Sequence, residues 1–258
     1  MNIRASSRLL FATCTIILTL VAHATEASWE GSLEYVGSTA TFTTQATRCL
    51  PSTVYTLSRA FHLRTGYEDA PVEFAGDMID VTAPGRKGLR ILIPRGGPLS
   101  LRFEVDAVTH KPLSFASTLN EALTAYRSFG YPGSYRLTVK DAWFYIVPSS
   151  ARSRAGTDTQ VTPLFDAELR PEELRHLTLD DALEKALSVV GARTGNKIVL
   201  GRRLPNQWGT VYFSPNSAAS ATARDVIEQI MDASGSPISW LLLYDPTFHY
   251  YVFTPYLV

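Results

Sequence analysis

The chain has 258 residues, 45% hydrophobic and 19% charged, with 24 basic and 24 acidic side chains and a formal net charge of +0. That composition supplies a core and excludes a disordered chain, and the balanced charge excludes the clustered positive footprint of a nucleic-acid binder.

Arg4 and Arg8 precede an apolar run, Leu9 to Ala22, that ends at Ala22-His23-Ala24. A basic start, a short apolar stretch and a small-x-small site mark residues 1–24 as a cleavable signal peptide, with a second possible cut after Ala27. The run is short against the roughly 20 apolar residues that cross a bilayer. The expectation is an exported protein, periplasmic or extracellular, with no transmembrane span in the mature chain. Cleavage leaves Cys49 as the sole cysteine, so no intramolecular disulfide forms. Cys49 reads as a small buried hydrophobe. A reactive thiol is the alternative, because Arg48 and a helix start stand beside it.

Helical spacing predicts four helices. Over 51–65, Val54, Leu57 and Phe61 share a face, Pro51 suits the first turn and Gly66 the C-terminal cap. Over 119–129, Leu119, Ala122, Leu123 and Tyr126 recur behind a Thr118–Glu121 capping box. Over 179–192, Leu179, Leu183, Ala186, Leu187 and Val190 follow Thr178, and Asp180 and Asp181 favour the positive helix end. Over 223–233, Val226, Ile227, Ile230 and Met231 gather. Strands are expected at Gly88–Ile93, Leu99–Val105, Tyr135–Val139, Trp143–Val147, Lys197–Leu200, Thr210–Phe213, Ile238–Tyr244 and His249–Thr254. Trp240 to Tyr244 is apolar throughout, as in a strand covered on both faces.

Two segments follow a similar plan on either side of a polar stretch, 149–160, that reads as a linker. Arg64-Thr65-Gly66 matches Arg193-Thr194-Gly195, and Trp143-Phe144-Tyr145-Ile146-Val147-Pro148 matches Tyr250-Tyr251-Val252-Phe253-Thr254-Pro255. The order predicts an internal duplication. The fold class is α+β, two tandem small modules of β-α-β type with mixed sheets, over residues 28–148 (longer and degenerate) and 161–258.

The second segment resembles the short N-terminal domain shared by secretins and signal-transducing outer-membrane receptors. The residues that carry this are Leu177-Thr178-Leu179-Asp180-Asp181-Ala182-Leu183, Thr194-Gly195, Lys197-Ile198-Val199-Leu200, Ala223 to Met231 and Tyr250 to Phe253. The resemblance covers about Val161 to Pro255, with an echo in Ala40 to Pro148. It implies two β-α-β units in a small mixed sandwich, a periplasmic setting, and protein contacts without catalysis.

Familiar catalytic and metal motifs are missing from the sequence. His62, His110, His176 and His249 are isolated, and no HExxH, CxxC, GxSxG, SxxK, P-loop or GxGxxG occurs. The carboxylates Asp180, Asp181 and Glu184 are explained by the helix dipole, Glu172 and Glu173 by solvation, and Arg202 and Arg203 by a solvated loop. No catalytic, cofactor-binding or metal-binding residue is assigned, and no cofactor. The aromatics concentrate in the two hairpins, so Trp143, Tyr145, Tyr250, Tyr251 and Phe253 are the candidate partner-binding residues, with core packing as the competing role. The sequence reading is a non-catalytic interaction module of the cell envelope, bound to another envelope protein through a sheet edge or the aromatic hairpin face. The alternatives are a small-ligand or glycan-binding protein and an unrecognised hydrolase.

Overall fold

The computed structural model describes residues 31–83, 85, 88, 90–202, 206–215 and 221–258. The expected signal peptide at 1–24, both cleavage sites and Arg203 lie outside the described residues.

The fold is α+β. Strands β1 (Ser32–Val36) and β2 (Thr39–Thr44) lead into helix α1 (Cys49–Phe61) and strand β3 (Arg64–Glu68). A short antiparallel pair follows, β4 (Met78–Asp80) and β5 (Leu92–Pro94), and then β6 (Leu99–Glu104). Helix α2 (Phe115–Ser128) precedes β7 (Ser134–Lys140), β8 (Trp143–Arg152) and β9 (Asp158–Gln160). The remainder runs β10 (Glu168–Leu169), α3 (Leu179–Thr194), β11 (Lys197–Leu200), β12 (Ala221–Thr222), α4 (Ala223–Ala233), β13 (Ile238–Asp245) and β14 (Tyr250–Leu257).

Local chemistry sets the helix ends. The Thr178 hydroxyl accepts the Asp181 N–H at 3.2 Å and starts α3, and Thr222 does the same for Asp225 in α4. Helix α1 stops earlier than Gly66: His62 turns left-handed at φ 53°, and the N–H groups of His62 and Leu63 both donate to Ser58 O. Gly66 instead lies inside β3. Helix α2 starts earlier than the Thr118 capping box. Its cap is Ser114, whose Oγ accepts the Ser117 N–H, which brings Phe115 into the core. Of the expected strand Gly88–Ile93, Leu92 and Ile93 lie in β5 and residue 89 lies outside the described residues, while Thr210–Phe213 contributes a bridge between Thr178 and Tyr212.

The polar stretch expected as a linker is sheet. Residues 149–152 end β8, and Ser150, Ala151 and Arg152 pair with Gln160, Thr159 and Asp158 of β9. Its side chains are polar because β9 is exposed, while its backbone is committed to the ladder.

Both halves repeat one topology, strand-helix-strand twice and then a hairpin strand. In the first half this is β2-α1-β3, β6-α2-β7, β8, and in the second β10-α3-β11, β12-α4-β13, β14. The pairing repeats as well. β2 is antiparallel to β6 as β10 is to β12, and β3 is parallel to β8 as β11 is to β14. β7 is antiparallel to β8 as β13 is to β14. Strands β1 and β9 and the β4–β5 pair have no counterpart among the described residues of the second half.

The halves share one sheet, in the order β11-β14-β13-β3-β8-β7, with β9 pairing β8. Parallel pairing of β13 with β3 joins them. The second unit keeps the left-to-right order of the first but reverses every strand, so it must also present the opposite face. Side-chain alternation bears this out. Trp143, Tyr145, Trp240 and Leu242 point into the core built with α3 and α4. Ile146 and Leu241, on the other face, point into the core built with α1 and α2. Helix α1 also touches β2, and α3 touches β10, so each helix pair is roofed by a small outer sheet.

Candidate functional site

Four of the five aromatics expected to meet a partner do not reach the surface. Trp143, Tyr145, Tyr251 and Phe253 are each at most 2% exposed. They point to the face covered by α3 and α4, where core packing claims them. Tyr250 is half-buried, stacked at 6.0 Å on the exposed Phe248, with the Lys197 ammonium 5.6 Å from its ring centre. The aromatic face therefore shrinks to this corner of β14 beside β11.

The buried polar groups bind the halves to each other. Arg224 of α4 places Nη2 2.7 Å from both Glu68 Oε1 of β3 and Asp166 Oδ1, and its guanidinium lies 4.9 Å from the Tyr145 ring centre. Glu68 is 1% exposed, and burial pushes its pKa above the usual carboxylate value against the pull of Arg224. Tyr145 Oη donates to Glu228, whose carboxyl is also raised by burial. On the opposite face Arg48 donates to Asp69 and to the Tyr244 carbonyl, while Asp69 accepts the Tyr244 N–H at 2.9 Å. A buried carboxyl with a raised pKa has the chemistry of a general acid. Glu68 is enclosed, however, and each of its named partners is structural.

The remaining candidates stand apart. His62, His110, His176 and His249 each adopt positive φ in separate turns, and no group of three or more His, Cys, Asp or Glu side chains is placed to hold a metal among the described residues. Cys49 is buried at the start of α1, and burial raises its pKa, which disfavours the thiolate. Arg202 follows β11 and is exposed. No helix among the described residues is long and apolar enough to cross a membrane.

Strand β11 has a different character. Among the described residues it pairs only with β14, and its other edge has no strand partner there. The Gly201 N–H donates to Phe253 O, which fixes the phase: the main-chain groups of Ile198 and Leu200 turn outward. The edge borders a groove of about 520 Å³ between β11 and α3. Leu187 and Gly191 form its floor, Glu184, Ser188 and Ala192 its helical rim, and Ile198 and Leu200 its strand wall. Ile198, Val199 and Leu200 are half-buried, and Lys197 is exposed. The strand pattern at 197–200 was legible in the sequence. Its edge position was not, because pairing order depends on contacts between distant segments.

The chain matches no protein-family model, no curated protein and no solved structure.

Proposed function

We propose that this chain is an exported, non-catalytic interaction module of the cell envelope, and that its protein partner adds a strand to the edge of β11. The observation that supports the reading is the edge of β11, unpaired among the described residues, with a groove of mixed polar and apolar lining behind it. An unpaired strand offers a row of main-chain donors and acceptors, and natural edges are normally protected by charge, covering or twist. At β11 the exposed charge is confined to Lys197, while Ile198, Val199 and Leu200 stay half-exposed. Main-chain bonds would give such a complex its affinity and the groove its selectivity. The resemblance of the second segment to the secretin and receptor domain, carried by Leu177 to Leu183 and Lys197 to Leu200, points toward the same role in protein contact.

The test is site-specific photocrosslinking in the native host. A crosslinker at Ala192, exposed on the groove rim, should capture one identified envelope protein. The second change Ser188→Arg, also at an exposed rim position, should abolish capture. It should shift stability by no more than about 0.5 kcal/mol. Equal capture with Ser188→Arg, or adducts with sugars or metabolites alone, would overturn the reading.

A further inference from the structure

The chain contains its own example of how this kind of edge is covered. Strand β3 is the counterpart of β11, and α1 the counterpart of α3. The N–H groups after α1 converge on Ser58 O as those after α3 converge on Gly191 O. Strand β3 begins at Arg64 as β11 begins at Lys197, so Thr65 corresponds to Ile198 and Tyr67 to Leu200. The edge of β3 is occupied by β13, in parallel, with Leu241 opposite Tyr67. Leu241 turns into the core beside α1, and its neighbour strand adds Tyr256, whose hydroxyl meets Ser58 Oγ at 2.9 Å and Thr65 Oγ1 at 3.0 Å. The slot between α1 and β3 is thus filled by one aliphatic and one aromatic side chain of a hairpin.

Resting on the interaction reading above, we infer that the occupant of the β11 groove is a β-hairpin from a different protein carrying a unit of this same plan. Its edge strand runs parallel to β11 and sets an aliphatic side chain opposite Leu200, facing α3. Its second strand sets an aromatic ring over Gly191. Of the three hydroxyls that hold Tyr256, those of Ser58 and Thr65 are replaced here by Gly191 and Ile198, and the third, Ser239, belongs to the hairpin, so a phenylalanine type suits the groove better: a tyrosine hydroxyl would lose two of its three partners. A second copy of this chain fits poorly. Its free hairpin is β7–β8, in which Arg136 stands where Leu241 does and Ser149 where Tyr256 does. Arg136 is also held 3.9 Å from Asp166.

The probe is a synthetic hairpin copying residues 238–257, closed by a disulfide between added terminal cysteines and carrying a lysine tag. It is titrated against the full mature chain by fluorescence anisotropy, with amide hydrogen exchange read at Ile198 and Leu200. The hairpin should bind and protect both amides. Leu241→Lys in the hairpin should weaken binding at least about tenfold, as burying an unpaired ammonium demands. Tyr256→Phe in the hairpin should bind at least as tightly as the parent. No binding, indifference to Leu241→Lys, or protection that spares Ile198 and Leu200 would overturn the inference. So would head-to-tail self-association of the chain alone in sedimentation, which would assign the edge to a second copy. If photocrosslinking is lost with Ser188→Arg while the hairpin fails to bind, the interaction edge stands and the template falls. If the hairpin binds while crosslinking is indifferent to Ser188→Arg, the functional reading falls instead.

Discussion

Gly66→Ala tests whether the two halves are one body. Gly66 lies in β3 opposite Trp240 of β13, where the two units meet. A Cβ there would sit 2.4 Å from Trp240 Cζ2, 2.7 Å from Trp240 Cε2 and 2.7 Å from Tyr145 Cδ1, closer than side-chain atoms approach. Neither ring can retreat. Trp240 is backed by Phe165 at 5.1 Å and Phe253 at 5.7 Å, and Tyr145 by Trp143 at 5.8 Å, all buried. Overpacking of a filled core costs about 1–3 kcal/mol, and alanine recovers a fraction of that through its lower backbone entropy in the unfolded chain. The expected net loss is about 1–2 kcal/mol, or roughly 2–8 °C in Tm for a chain of this size. Urea and thermal unfolding followed by tryptophan fluorescence and far-UV circular dichroism should shift together in one transition. A loss under about 0.5 kcal/mol, or a shift in only part of the amplitude, would refute the shared-sheet argument.

Arg224→Met should cost about 3–5 kcal/mol in chemical denaturation, because Glu68 and Asp166 lose their shared cation, and adding Glu68→Leu should restore much of it. Glu228→Gln should flatten the pH dependence of Tm. Its folded pKa is raised by burial, so the stability due to its proton is fully present below the unfolded pKa and is lost as pH rises through the folded value. The variant should therefore gain on wild type as pH rises, and a constant gap between the two would count against a buried, proton-holding Glu228. N-terminal sequencing of protein from the native host should begin between Thr25 and Ser28, and retention of Met1 in the exported fraction would reject the signal peptide.

The helices were the most legible part of the sequence, because α3 and α4 bury continuous stripes and open on threonine caps. The duplication was legible in outline, but the Arg-Thr-Gly match misaligned it. Arg64-Thr65-Gly66 lies in a strand, whereas Arg193-Thr194 ends a helix and Gly195 caps it. The structural counterpart of Gly195 is His62, and a histidine at positive φ carries no signal in a single sequence. β2, β3, β10 and β12 were missed, being short or rich in Thr and Gly, and so was the register that carries β13 to β3. Apolar continuity from Trp240 to Tyr244 did predict a strand covered on both faces, and helices from both halves cover it. The aromatics were misassigned for the same reason. An edge hairpin spends alternate aromatics on one core, but these hairpins sit in a sheet with a core on each side.

The fusion of the two units explains why one edge differs from the other. Each unit has two sheet edges, and joining β13 to β3 consumes one from each, which leaves β11 and β7. The half-turn between the units places α3 beside β11 on one face and α2 beside β7 on the other. Strand β7 presents Arg136, Val139 and Lys140 as exposed side chains, and Lys140 and Arg136 are engaged by Asp225 and Asp166 of the second unit. The fusion thus dresses the β7 edge with charge, which discourages strand addition. Among the described residues, no ion pair from the first unit reaches β11, which lies at the opposite end of the sheet. On the proposed interaction reading, an edge whose exposed charge is confined to Lys197, in a chain whose other edge is charged, suits one partner strand better than a sheet that extends at both ends.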